Sequence, residues 1–223
     1  MRAVPADAAA AGAPAARRVR MTGKQRREQL IDVARGLFAR RGYDATSIEE
    51  IAAAAGVSKP VVYEHFGGKE GLYAVVVDRE MAHLLERIEA ALSGGNSREL
   101  VEQAALALLD YIERESDGFR ILLQNSPVAS ASGTFASLIG DIASQVEHLL
   151  GREFKARGLD PKLAGLYSQA LVGMVALTGQ WWLEARKPRR REVAAHLVNL
   201  AWNGLSGLEA KPGLLTPVST ARR

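Results

Sequence analysis

Apolar side chains along the body of this chain recur at intervals of three and four, and no long run alternates with the period of two that a half-buried strand requires. That spacing commits the chain to an all-α fold. Leu30, Val33, Ala34, Leu37 and Phe38 form one helical stripe, opened by the capping-box pattern Thr22-x-x-Gln25 and closed at Gly42. A short second helix carries Ile48, Ile51, Ala52 and Ala55, with Thr46 or Ser47 as N-cap, a glutamate three residues on, and Gly56 as its end. A third starts at Ser58, whose hydroxyl is placed to cap it, tolerates Pro60 in its first turn, and stops at Phe66-Gly67-Gly68. Longer helices are expected over about 69–92, 97–115, 117–125, 134–157, 161–186 and 189–208. The breaks are Ser93-Gly94-Gly95-Asn96, Asp117-Gly118, Asn125-Ser126-Pro127, Gly158-Leu159-Asp160-Pro161 and Lys187-Pro188.

Three short helices thus give way to long ones. The chain divides into an N-terminal tail (1–20), a small domain (21–72), a larger helical domain (73–210) and a C-terminal tail (211–223). Residues 1–16 are mostly Ala interrupted by Pro5, Gly12 and Pro14, with no bulky apolar side chain beyond Met1 and Val4. They cannot serve as the apolar stretch of a signal peptide, and disorder is expected in both tails. Residues 163–183 are 21 uncharged residues in a row, long enough to span a bilayer. Ser168, Gln169, Thr178, Gln180 and three glycines lie inside that run, which favours a helix buried in a bundle or an oligomer interface.

The sequence of 223 residues contains no cysteine, which excludes disulfides, thiolate metal sites and a cysteine nucleophile, and a reducing compartment, the cytoplasm, is expected. Its formal net charge of +4 is unevenly spread. Residues 1–41 hold ten basic and three acidic side chains, a net of +7. Residues 42–72 sum to −3, with Lys59 and Lys69 as their basic residues, and residues 73–223 balance at seventeen of each sign. A basic arm beside a near-neutral body suits an anionic polymer or membrane surface, or else is a solvated tail.

The informative stretch is 46–69, TSIEEIAAAAGVSKPVVYEHFGGK. Two short helices meet through Ala55-Gly56-Val57-Ser58. Ala52, four residues before Gly56, lets the second helix cross closely, and Gly56 suits the positive φ of such a turn. This is a helix-turn-helix signature, whose second helix enters a DNA major groove, although an ordinary αα-corner shares the spacing.

From Lys24 to Tyr73 the chain resembles the N-terminal domain of TetR-type (TetR/AcrR) transcriptional repressors. The resemblance is carried by the stripe through Phe38, by Gly42-Tyr43, Thr46, Ile51-Ala52 and Gly56-Val57-Ser58, and by Tyr63-x-His65-Phe66, Lys69 and Leu72-Tyr73. It covers about fifty residues; beyond them only the layout of helices agrees. It implies a three-helix helix-turn-helix domain for DNA binding, followed by a helical bundle for effector binding and dimerisation.

With that resemblance, the expected DNA contacts are Thr46, Ser47, Ser58, Lys59, Pro60, Val61, Tyr63, His65 and Lys69. Ser58 and Lys59 lie at a helix N-terminus, where the dipole favours phosphate, and Lys59 can alternatively reach a guanine edge. Pro60 and Val61 suit a thymine methyl. The hydroxyls of Thr46 and Ser47 face the adjoining strand, Tyr63 and His65 occupy positions that touch phosphate in the family, and Lys69 anchors a second phosphate. Glu64 departs from a phosphate-facing position and is either solvated or accepts from cytosine, while Gly67-Gly68 replaces the polar cap common in the family. Val62 and Phe66 belong to the core. Arg17, Arg18, Arg20, Arg26 and Arg27 form an arm for phosphates or the minor groove.

The resemblance further implies a homodimer through helices of about 161–186 and 189–208, hence a pseudo-palindromic operator. A cavity is expected among the fourth to eighth helices, with Tyr111, Phe119, Phe135, Tyr167, Met174 and Trp181 as candidate lining and a small apolar or aromatic effector that releases a repressor. The fourth helix would be the lever. The alternative is a DNA-binding regulator without a small effector, whose C-terminal domain binds another protein. No enzyme, cofactor or metal is expected. His65, His83, His148 and His196 are scattered, Glu80-x-x-His83 lacks the second copy that a di-metal site needs, and no nucleophile elbow, P-loop or nucleotide fingerprint occurs.

Overall fold

A computed structural model describes residues 21–124 and 135–213; both tails and the break expected at Asn125-Ser126-Pro127 lie outside or at the edge of the described residues. Helix α1 spans Gly23–Arg41, α2 Ile48–Ala55, α3 Lys59–Phe66, α4 Lys69–Ala91, α5 Ser97–Arg114 and α6 Ser116–Leu123. After the undescribed segment come α7 (Phe135–Ala156), α8 (Ala164–Ala185), preceded by a short 3₁₀ turn at Pro161–Leu163, and α9 (Arg190–Ser206). No strand interrupts the helices among the described residues.

Local chemistry sets most of the ends. At α1 the Thr22 hydroxyl accepts from the Gln25 N–H at 3.2 Å, and the Gln25 side chain accepts from the Thr22 N–H at 2.9 Å. Ser47 forms the equivalent box with Glu50 at α2. Thr46 is not the cap: it is buried, and its hydroxyl donates to the Gly42 carbonyl at 2.8 Å, satisfying an orphan acceptor at the end of α1. Ser58 makes no side-chain cap bond to α3, contrary to expectation. The break expected at Asp117-Gly118 falls instead at Glu115, and both residues lie in the first turn of α6.

Leu30, Ala34 and Phe38 of α1 meet Ile51 and Ala52 of α2, Val62 of α3, and Leu72, Tyr73 and Val76 of α4 in one buried cluster. Tyr73 packs edge-on against Phe38, with ring centroids 4.9 Å apart, and against Tyr43 at 4.8 Å. The boundary expected at 72/73 therefore lies within α4, whose later turns bury Leu84 and Ile88 in the body. In the body α7 pairs with α8, α9 packs on α5, and α6 bridges α1 and α4. Among the described residues no helix is long and apolar enough to cross a membrane. Helix α8 buries Val172, Ala176, Gly179 and Trp182 on one face and leaves Leu166, Leu177 and Trp181 exposed on the other.

Candidate nucleic-acid interface and effector cavity

The turn between α2 and α3 is built by Gly56, whose φ of 65° and ψ of 37° place it in the left-handed region, while the Val57 N–H reaches back to the Ala52 carbonyl at 2.9 Å. This closes α2 and swings α3 across it. Val62 is the α3 side chain fully withdrawn from solvent; Phe66 is half-buried beneath the Arg27 guanidinium, 4.7 Å from its ring centre. Ser58, Lys59, Pro60, Tyr63 and Glu64 are exposed, with Val61 and His65 at the edge of that face. The Ser58 hydroxyl, unused as a cap, remains available to a phosphate.

Charge on this face is held by exposed pairs. Lys59 of α3 bonds to Glu49 of α2, and Arg41 of α1 bonds to Glu50. The hydrogen bond from Lys59 holds the Glu49 carboxyl below its ordinary range, and for Glu50 the backbone N–H of Ser47 is the leading cause, with Arg41 adding to it. Such exposed pairs contribute little to folding.

Two expected contacts are placed elsewhere. Thr46 points inward, as described. The Lys69 ammonium lies 4.2 Å from the Tyr43 ring centre and donates to the carbonyls of Tyr43 at 2.8 Å, Thr46 at 2.9 Å and Asp44 at 3.4 Å. Its three donors are thereby engaged, so Lys69 fastens the α1–α2 connection to the first turn of α4 instead of standing free for a phosphate. Arg26 bonds to Gln29 at 2.6 Å on α1, while Arg17, Arg18 and Arg20 lie outside the described residues.

A cavity of about 350 Å³ opens between α4, α5, α7 and α8, in the size range of small-ligand sites. Phe135 and Met174 line it as expected. Tyr111 and Phe119 are fully buried beside it, Tyr167 packs on Phe154 with centroids 5.3 Å apart, and Trp181 is 56% exposed. The wall is aliphatic instead, with Leu84, Ile88, Leu108, Ile142 and Val172 prominent, because the helical period turns these positions inward and carries the large aromatics past the cavity. Among the described residues Asn96, Ser97, Arg152 and Glu153 are the polar ones in its wall.

Next to the cavity lies a polar group that the spacing alone did not reveal. Glu80 of α4 is buried; its Oε1 accepts from Arg35 Nε of α1 at 2.6 Å, and its Oε2 accepts from the Tyr111 hydroxyl of α5 at 2.6 Å. Arg35 also donates to Glu115 at 2.8 Å. Burial pushes the Tyr111 phenol far up and the Glu80 carboxylate adds to that, whereas both carboxylates outweigh burial to raise Arg35. The signal for this group was a carboxylate at position 80, on the apolar face that carries Val76, Val77 and Leu84. His83 packs edge-on against Tyr111, and among the described residues no cluster suited to a metal ion exists.

A helix-turn-helix presenting an exposed second helix beside the basic beginning of α1, mounted on an all-helical body, defines a DNA-binding regulator. Comparison with known proteins agrees. Residues 30–76 match the bacterial regulatory proteins of the tetR family, and residues 86–214 match the tetracyclin repressor-like C-terminal domain. The HTH-type transcriptional activator FasR of Mycolicibacterium smegmatis is 32% identical over 191 residues, 84% of this chain and 86% of that protein. A TetR-like transcriptional regulator from Rhodococcus sp. RHA1 superposes with a TM-score of 0.71 at 27% identity, covering 85% of this chain and 100% of the other. A tetR-family regulator from Streptomyces coelicolor gives 0.64 at 28% identity over 81% and 80%. The chain belongs to the TetR family of transcription regulators, which are not enzymes.

Proposed function

We propose that the protein acts in the cytoplasm as a homodimer that binds a pseudo-palindromic operator and represses transcription until a small apolar effector releases it. The observation that carries this reading is the exposed set Ser58, Lys59, Pro60 and Tyr63 at the start of α3, with Val61 at its edge, beside the basic beginning of α1. Lys59 exchanges Glu49 for a phosphate or a guanine edge, Pro60 and Val61 meet a thymine methyl, and Ser47, Ser58, Tyr63 and His65 contact backbone phosphates. Thr46 and Lys69 act indirectly, by fixing the connection that positions α2. The exposed Leu166, Leu177 and Trp181 of α8 and Leu200 of α9 supply the apolar face for the second copy.

The aliphatic wall of the cavity favours a flexible aliphatic effector over a planar aromatic one, since Phe135 is its single aromatic residue among those described. Likeness to a protein named as an activator supports a second reading, in which operator binding recruits transcription instead of blocking it. Selection of bound fragments from the source genome tests the proposal. Recovery of a short palindrome overlapping a promoter, with transcription in vitro reduced by the protein, supports repression. A palindrome upstream of a promoter that the protein stimulates supports activation, and recovery of no common sequence overturns both.

A further inference from the structure

Arg35, Glu80, Tyr111 and Glu115 join three parts of the molecule at one point: α1 of the DNA-reading head, α4, and the end of α5. A buried ion pair is a poor choice for stability alone, because an apolar replacement of similar shape is often neutral or better. What directional bonds provide is a defined arrangement. Arg35 holds carboxylates from α4 and from the α5–α6 junction at once. A shift that parts α4 from the α5–α6 junction would let it keep only one of them, so the group would answer such a shift by giving up a partner.

The group is continuous with the cavity by three routes. Leu84, in the cavity wall, lies one turn from Glu80 on α4; Leu108, also in the wall, lies one turn from Tyr111 on α5. A chain of edge-on aromatic contacts runs from Phe135 in the wall to Phe119 at 5.6 Å and on to Tyr111 at 6.4 Å. On the other side, α1 is tied to the reading helices. Gln29 donates to the Ala55 carbonyl of α2 at 3.2 Å, and Arg27 covers Phe66 of α3.

We propose that these four residues are the joint through which filling of the cavity resets the α2–α3 reading head. The proposal rests on the reading that α3 binds DNA. It requires both ends to bias one two-state element, and that is measurable as a coupling.

The test is a double-mutant cycle on the full-length protein, read on a duplex selected by the wild-type chain from random sequences. Ala104→Leu, in the cavity wall, stands in for an effector, with Val175→Phe as a second filling variant. Glu115→Gln and Tyr111→Phe loosen the joint, and melting temperatures confirm folding. Filling should change operator affinity about tenfold in the wild-type background and by less than about twofold in either joint variant. The same change in all backgrounds, or no change from either filling variant, overturns the joint. If the wild-type chain selects no duplex, the DNA-binding reading itself has failed, and the joint falls with it.

Discussion

Gly118 stands directly against Glu80: a Cβ on Gly118 would lie 1.8 Å from the Glu80 Oε2 and 2.7 Å from the Tyr111 hydroxyl oxygen. The glycine is what allows α6 to approach the carboxylate while both of its oxygens stay bonded. Gly118→Ala should drive Glu80 away from Tyr111 and destabilise the fold by about 1–3 kcal/mol, as overpacking of a filled site does. Chemical denaturation of the variant measures this; a change under about 0.5 kcal/mol would show that the site relaxes freely.

Lys59 and Lys69 should separate cleanly in experiment. Lys59→Ala should weaken operator binding and make the slope of log K against log salt less negative by about 0.9, one phosphate contact. Glu49→Gln, which frees Lys59 and removes a negative charge from the same face, should strengthen binding. Binding isotherms at several salt concentrations check both.

Lys69→Met should leave the salt slope nearly unchanged. It leaves the carbonyls of Tyr43 and Thr46 without their shared donor, at a cost of about 1–3 kcal/mol in stability. A reduced melting temperature with an intact slope is the expected pair of results.

Acid should loosen the head. The carboxyls of Glu28, Glu49 and Glu50 sit below the ordinary value of 4.5, held down chiefly by the hydrogen bond from Arg79, by that from Lys59 and by the Ser47 N–H, respectively. Because they are depressed in the folded state, their contribution is present above about pH 4.5 and is lost as pH falls through the lowered values. Melting temperature recorded against pH should decline below that point, and less steeply in Glu50→Gln, which has one such carboxylate fewer.

Leu177→Arg on the exposed face of α8 should shift the protein toward monomer and reduce affinity for a full palindrome far more than for a half-site. Light scattering and paired half-site and full-site titrations provide the readouts. A variant that remains dimeric would place the interface elsewhere.

Most of the head was legible because its determinants are local. Gly56 needs a left-handed conformation whatever surrounds it, and Thr22 with Gln25 closes a cap within four residues. Several helix boundaries in the body followed from glycine and proline in the same way, but Gly118 lies inside α6 and the break there falls at Glu115. The cavity lining was legible only at Phe135 and Met174, because Tyr167 and Trp181 share apolar character with Val172 and only the packing of α8 against α5 and α7 decides which of them turns inward. The contacts of Lys69 within the protein were not legible for a related reason. A cation at a helix start serves a phosphate or a set of backbone carbonyls equally well, and the turn that supplies those carbonyls arrives from over twenty residues away.

Helix α4 has one more consequence. Leu72, Tyr73, Val76 and Val77 are buried with Leu30, Ala34 and Phe38, so the interior of the reading head is completed by turns that also begin the body. A fragment cut at residue 72 would lose the last three of those side chains and expose what they cover. The reader and the body therefore share α4 as part of one interior. Grafting the reader onto another regulator would require carrying α4 through at least Val77, and with those turns would come the register of whatever body they lead into.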